Sequence, residues 1–152
     1  MRPPDYEHTD NQMIKIEVNL DDMSGEWLGY VMDKLFDAGA NDVYYSPIYM
    51  KKNRPAVQLQ LLCAMDLLAA MKKILLEETT TLGIRYYPIS VFRMERTTKE
   101  IITQWGMVRV KQAVDNGNVL KAAPEYEDCR MIAEKHHIPL REVYQAVWKQ
   151  LD

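Results

Sequence analysis

Apolar and polar residues alternate along this chain with two different periods, and the switches between them outline its elements. Ile14, Ile16, Val18 and Leu20 alternate with Lys15, Glu17 and Asn19, the period of two expected of a strand with one buried face. Asp21-Asp22-Met23-Ser24-Gly25-Glu26 interrupts the alternation. Ser24 is a natural N-cap, and Leu28, Val31, Met32 and Leu35 follow at helical spacing until Ala38-Gly39 supplies a small residue and a left-handed glycine to end the helix. Residues 43–61 then read as a hairpin. Tyr44, Tyr45, Ile48 and Tyr49 favour a pleated surface, Val57, Leu59 and Leu61 alternate with Gln58 and Gln60, and the turn holds Lys51, Lys52, Asn53, Arg54 and Pro55. Asp66 is expected to cap a second helix with Leu67, Met71, Ile74 and Leu75 on one face, which the β-branched Thr79, Thr80 and Thr81 bring to an end. After Leu82-Gly83, residues 84–94 read as a fourth strand.

The order strand, helix, strand, strand, helix, strand is the split βαβ pattern. The expected fold class is therefore α+β: a ferredoxin-like βαββαβ unit over residues 13–94, then a small β-hairpin plus two-helix subdomain over 95–152. In that second part, 101–105 and 107–114 read as strands broken at Gly106, and Asp115-Asn116-Gly117-Asn118 is a strong hairpin turn. Pro124 and Pro139 are each expected at the first position of a helix, and Leu140, Val143, Tyr144, Val147, Trp148 and Leu151 form one apolar stripe on the last. Residues 1–12, polar and with Pro3 and Pro4, read as a flexible lead-in. A ferredoxin-like sheet leaves one face without helices, and Ile, Val and Leu side chains are expected there, in need of cover by the rest of the chain or by another subunit.

Composition narrows the function classes. A chain of 152 residues, 47% hydrophobic and 27% charged, is an ordinary globule able to bury about 68–70% of its unfolded surface. A net charge of −3 argues against broad binding to nucleic acid or anionic membranes, so any anion site must be local. There is no apolar run long enough to span a bilayer and no export signal. Cys63 and Cys129 are too far apart in sequence for a zinc motif or a disulfide framework, which fits a reducing cytoplasm.

Four clusters carry candidate chemistry, and each also has a reading that needs no ligand. Lys51, Lys52 and Arg54 repel one another unless an anion sits among them, but equally form a solvated hairpin tip that resists aggregation. The turn containing Thr79, Thr80, Thr81, Gly83 and Arg85 could donate hydroxyls, amides and a bidentate guanidinium to phosphate, or simply bond its own backbone. It is not a P-loop, because the glycine spacing and the lysine of that motif are missing. Asp21 and Asp22 could hold a hard divalent cation through oxygen, with water and substrate phosphate completing its shell, or could merely favour the helix dipole. Glu125, Glu127 and Asp128, beside Cys129 and Arg130, exceed what helix capping requires. His136 and His137 end a predicted helix and face different sides of it, and no nucleophile is accompanied by a base and an orienting partner.

Asn19-Leu20-Asp21-Asp22-Met23-Ser24, Tyr49-Met50-Lys51-Lys52-Asn53-Arg54-Pro55, Glu78-Thr79-Thr80-Thr81-Leu82-Gly83-Ile84-Arg85 and Ala123-Pro124-Glu125-Tyr126-Glu127-Asp128-Cys129 resemble, in order and spacing, the C-terminal domain of the LarC nickel-insertion family. The resemblance runs over about residues 13–147. It implies a CTP-dependent cyclometallase, of lyase type, that inserts nickel into pyridinium-3,5-bisthiocarboxylate mononucleotide to make the nickel-pincer cofactor of lactate racemase, as part of a full-length protein that carries a further N-terminal domain absent from this chain. It also implies CTP with manganese or magnesium as cofactors, nickel as the inserted ion, and a cytoplasmic homo-oligomer. Phosphate contacts are expected from Lys51, Lys52, Arg54, Thr79, Thr80, Thr81 and Arg85, and the divalent ion from Asp21, Asp22, Glu125 and Glu127. Nickel prefers nitrogen or sulfur ligands, which are few here. The alternative is a non-catalytic nucleotide-binding regulatory or oligomerisation module akin to the trimeric nitrogen-regulatory signal proteins. An RNA-recognition role fits less well, for want of net positive charge and of that family's aromatic strand motif.

Overall fold

A computed structural model describes residues 8–151 of the chain, which form two compact units, Thr9–Val91 and residues 92–151. Helices and antiparallel sheets are mixed in both. The first unit holds β1 (His8–Leu20), α1 (Gly25–Asp37), β2 (Asp42–Met50), β3 (Arg54–Ala64), α2 (Leu68–Glu78) and β4 (Arg85–Arg93), with sheet order β2-β3-β1-β4. Residues 8–12 of the expected lead-in belong to β1, because Thr9, Asn11 and their neighbours continue the ladder although they are too polar to show the alternation; residues 1–7 lie outside the described residues.

The alternation in β1 and β3 becomes a shared core. Antiparallel pairing sets Ile16 opposite Leu61 and Val18 opposite Leu59, and these four side chains are fully buried with Val31 and Leu35 of α1 and Met71 and Leu75 of α2. Burying one such side chain contributes about 1.5–3 kcal/mol. The Ser24 hydroxyl accepts from the Trp27 amide at 3.3 Å, and Gly39, at φ 97°, takes the left-handed turn after α1. Asp66 is not a cap. It lies inside a 3-10 turn, Met65–Leu67, so the chain is already helical when it reaches Asp66.

One expectation about the sheet is overturned. Since neighbouring side chains on a strand point to opposite faces, the alternation sends Ile14, Ile16, Val18, Leu20, Leu59, Leu61 and Cys63 toward the helices. The other face is mostly polar: it carries Lys15, Glu17 and Asn19 of β1, Gln58 and Gln60 of β3, and Tyr44 and Ser46 of β2, with Met13 and Leu62 as its main apolar members. Tyr44 donates to Gln60 Oε1 at 3.1 Å and Gln60 Nε2 donates to Ser46 Oγ at 3.1 Å, so the buried Gln60 is satisfied on both ends of its amide.

The second unit has three strands rather than a hairpin: β5 (Glu95–Thr103), β6 (Gly106–Asp115) and β7 (Asn118–Pro124), in that spatial order, then α3 (Tyr126–His136) and α4 (Leu140–Trp148). Asn116 and Gly117, at φ 48° and 79°, make the β6–β7 turn with both central residues left-handed, the geometry Asn-Gly favours. Ile101, Val108, Val110, Cys129, Ile132, Val143 and Val147 form its core. Pro124 ends β7 opposite Val110 instead of opening α3; β7 is an edge strand, where a residue without an N–H is tolerated, and Glu125 takes the N-cap position. Pro139 precedes α4 at its N-cap. Among the described residues no helix is long and apolar enough to cross a membrane.

Candidate functional site

Three chain segments, widely separated in sequence, are tied together at the C-terminal end of β1. Arg54, the first residue after the hairpin tip, donates from Nη1 to Asp21 Oδ2 at 3.0 Å. Across the strand end, the Thr80 hydroxyl donates to Asp22 Oδ1. Arg85, opening β4, donates from Nη2 to Asn19 Oδ1 at 2.7 Å, and the same oxygen accepts from Gln58 Nε2 at 3.2 Å. Lys51 and Lys52 stand at the exposed tip, where Lys52 and Asn53 both adopt positive φ. A hollow of about 240 Å³, lined by Leu20, Asp21, Met23, Pro55, Ala56 and Val57, opens beside the Arg54–Asp21 pair.

The three threonines divide the work. Thr79 is buried and its hydroxyl donates to the Leu75 carbonyl at 2.6 Å, closing the last turn of α2. Thr81 bonds the carbonyl and amide of Gly83, holding the turn, so Thr80 alone of the three reaches the Asp21-Asp22 corner.

Deeper on the same sheet face is a set of partners that the sequence reading treated as the solvated side of a strand. Tyr87 donates to Glu17 Oε1 at 2.9 Å, Lys15 Nζ lies 3.3 Å from the same oxygen, and Arg85 Nε lies 3.8 Å from Glu17 Oε2. The Tyr87 hydroxyl, with Lys15 and Arg85, holds the Glu17 carboxyl below its usual range against the opposing effect of partial burial. The same bond pushes the Tyr87 hydroxyl up. Burial works against the Lys15 ammonium, but its bonds to Glu17 and Tyr44 outweigh it and raise its pKa. Glu17, Asn19, Gln58 and Tyr87 therefore fix the orientation of Arg85. The available signal was that three polar residues on one strand face, Lys15, Glu17 and Asn19, have side chains able to pair with one another and with the next strand.

Glu125 and Glu127 belong to the second unit. There Glu125 pairs with Lys111 at 2.7 Å and Glu127 with Arg130 at 2.8 Å. Asp128 is buried and accepts three hydrogen bonds from Arg109: from the backbone amide at 2.9 Å, from Nε at 2.9 Å and from Nη2 at 2.7 Å. Those bonds, more than enough to offset burial, hold its carboxyl below the usual range. The Cys129 thiol is pushed up by burial.

The residues at the first-unit corner can be tested against a divalent cation. Asp21 and Asp22 each commit one carboxylate oxygen, to Arg54 and to Thr80, and each keeps the other. Among the described residues no three His, Cys, Asp or Glu side chains are grouped to hold a metal. Two spare carboxylate oxygens fit a hard ion that keeps its waters and takes phosphate oxygens, not one caged by protein alone. A larger hollow, about 620 Å³, lies elsewhere, along α4. Its charges, Arg141, Glu142 and Lys149, come from the outer face of one helix, whereas the first-unit corner draws charges and hydroxyls from several segments, and for that reason we take the corner as the candidate site.

A family model described as nickel insertion protein matches residues 3–144. The chain is 41% identical over 138 residues to the pyridinium-3,5-bisthiocarboxylic acid mononucleotide nickel insertion protein of Thermotoga petrophila, covering 91% of this chain and 35% of that protein. It is 45% identical over 145 residues to the protein of the same name from Acetivibrio thermocellus, covering 95% and 35%. It thus spans about a third of the length of the curated relatives it matches. Among solved structures, it is similar to LarC2, the C-terminal domain of a cyclometallase involved in the synthesis of the NPN cofactor of lactate racemase, in the apo form. That match has a TM-score of 0.88 and 42% identity and covers 96% of this chain and 99% of that one. A protein from Methanopyrus kandleri matches with a TM-score of 0.67 at 27% identity, covering 89% and 85%.

Proposed function

The chain belongs to the nickel insertion protein family, and from that premise we propose that it is the CTP-binding and divalent-metal-binding domain of a cyclometallase that inserts nickel into pyridinium-3,5-bisthiocarboxylate mononucleotide. The observation that carries the reading is the corner at the end of β1. Asp21 and Asp22 meet Arg54 and Thr80 there, and Arg85 is held beside them by Asn19 and Glu17. A nucleoside triphosphate with manganese or magnesium asks for both halves of this arrangement: cations and hydroxyls for the phosphates, and carboxylate oxygens for the ion they share.

In this reading Arg54 and Arg85, with Lys51 and Lys52 from the hairpin tip, bind phosphate oxygens, and Thr80 adds a hydroxyl donor. Thr79 and Thr81 shape the turn that presents it. Asp21 and Asp22 hold the divalent ion, which when bound neutralises phosphate charge. Arg54 pairs with Asp21 before any ligand arrives, so one carboxylate poises the guanidinium. Glu125 and Glu127, the other two candidates for the divalent ion, are ion-paired with Lys111 and Arg130 in the second unit. Nickel is the substrate ion, and its delivery is assigned to the part of the full-length relatives that this chain does not span. The strand order β2-β3-β1-β4 with two helices on one face supports a ferredoxin-like reading of the first unit. Tyr49, 82% exposed at the hairpin, supports a homo-oligomer, because amphipathic aromatics are enriched at interfaces; a reducing cytoplasm suits the two free thiols.

Calorimetric titration of the chain with CTP, with manganese and after chelation, tests the reading. Arg54→Ala is expected to weaken binding about 10–100-fold, the loss of a charged hydrogen bond of about 1.5–3 kcal/mol, and Asp22→Asn to reproduce the effect of chelation, both with little change in melting temperature. Metal-independent binding by the wild type would refute the assignment of Asp21 and Asp22. Nucleotide binding without nickel insertion by the full-length protein would favour the regulatory module instead.

A further inference from the structure

The second unit contains a hollow that the corner on β1 does not use. About 450 Å³ in volume, it lies between the start of β6 and the outer face of α3, within the range of small-molecule sites. Its walls are apolar: Trp105, Met107, Met131 and Ile132. Met107 and Met131 are 48% and 55% exposed, an unusual placement for two large thioethers on one opening and one that gives a deformable, polarizable surface for a flat ring. The rim is cationic. Lys135 stands on one side and Arg109 on the other.

Arg109 is set in place. The buried Asp128 carboxylate takes its Nε and Nη2 and also its backbone amide, so the guanidinium plane is fixed while its side chain stays 53% exposed. Nη1 makes no hydrogen bond among the described residues. A fixed guanidinium with donors to spare, next to an ammonium and over apolar walls, is a receptor for a planar anion. The charges behind it are of the other sign: Asp128 sits at the back of the hollow, with Glu100 and Glu125 near Arg109. A simple polyanion would meet those carboxylates, but a ring that is itself positive and carries anionic substituents satisfies both. Its ring lies against Trp105 and the methionines, and its acid groups face Arg109 and Lys135.

We propose that this hollow binds the pyridinium mononucleotide substrate by its ring and ring acid groups, a site separate in sequence from the nucleotide corner. The inference rests on the proposed function for the identity of the ligand, and its test is separable from that reading. Nicotinic acid mononucleotide, a pyridinium monocarboxylate, is the probe, and nicotinamide mononucleotide, which lacks the ring acid, is the control; both are titrated calorimetrically into the full chain, beside CTP with manganese. The acid is expected to bind at least tenfold more tightly than the amide. Met131→Glu, at a position 55% exposed, should weaken the acid at least tenfold and leave CTP and the melting temperature unchanged, and Lys135→Ala should reduce the preference for acid over amide. Equal binding of acid and amide, unaltered binding to Met131→Glu, or no binding of the acid by a chain that binds CTP would overturn the proposal. A chain that binds the acid in this manner but not CTP would support the hollow and sink the nucleotide corner.

Discussion

Asp128 shows what one residue does in this chain. Read from sequence it is one of three acids at a helix start, and its neighbours Glu125 and Glu127 are as good candidates for a ligand. The fold separates them. Asp128 turns inward, where three hydrogen bonds from Arg109 keep it ionised, while the other two pair at the surface. Because its folded pKa is lowered, its contribution to stability is present above the unfolded carboxylate value of about 3.9 and is lost as pH falls through the folded value. Urea unfolding followed from pH 6 down to pH 2 should therefore show a loss of stability below about pH 4. Asp128→Asn should remove that part of the loss and lower stability at pH 7 by about 1–3 kcal/mol. An unchanged acid limb in the variant would show that Asp128 does not set it.

At the scale of elements, helices and turns were legible where a single residue dictates the backbone, and boundaries were missed where the neighbours decide. Ser24, Gly39 and the Asn116-Gly117 turn act locally and stand where their chemistry puts them. Asp66 and Pro124 have equally strong local preferences, but a 3-10 turn begins before the first and the β6–β7 ladder extends through the second. Strand β1 reaches back to His8 because backbone pairing does not require the apolar alternation by which strands are recognised. Of the candidate site, the charged tips Arg54, Asp21, Asp22 and Arg85 could be singled out from the sequence, and the fold brings them together. Its supports Glu17, Asn19, Gln58 and Tyr87 could not be, since a polar residue on a strand reads as solvent-facing until the next strand is known. One position in α1 departs from helical preference without visible cause: Gly29 is mid-helix, exposed, and a Cβ added there meets nothing within 4 Å. Gly29→Ala should raise stability by about 0.5–1 kcal/mol, read from the urea midpoint at unchanged slope. A loss of stability would mean that this face of α1 is in contact with something beyond the described residues.

Over the whole molecule, the two units have cores that share no residue, and the chemistry each can support differs in the same way. Oxygen and cationic groups are available at the surface of the first, and a cation-rimmed apolar hollow is available in the second. Good ligands for nickel are not at either place. Nickel favours imidazole and thiolate, and a thiol binds metal only after losing its proton. Cys63 and Cys129 are both fully buried in the cores, and burial pushes both thiols up, the nearby carboxylates of Asp66 and Asp128 adding to the effect. At neutral pH they are protonated, apolar packing groups. His136 and His137 are exposed at the end of α3, where His137 has turned left-handed, and adjacent positions of this kind do not present two nitrogens to one ion. If nickel handling lies in the part of the full-length relatives beyond this chain, the double variant Cys63→Ala, Cys129→Ala should bind nickel no more weakly than the wild-type chain. It should also keep its CTP affinity, while losing stability by about 1–3 kcal/mol for the packing removed from two cores. Competition with a chromogenic chelator measures the first and calorimetry the second. A tenfold drop in nickel affinity without loss of fold would place the metal on a thiol that must then become exposed, and would move nickel capture into this domain.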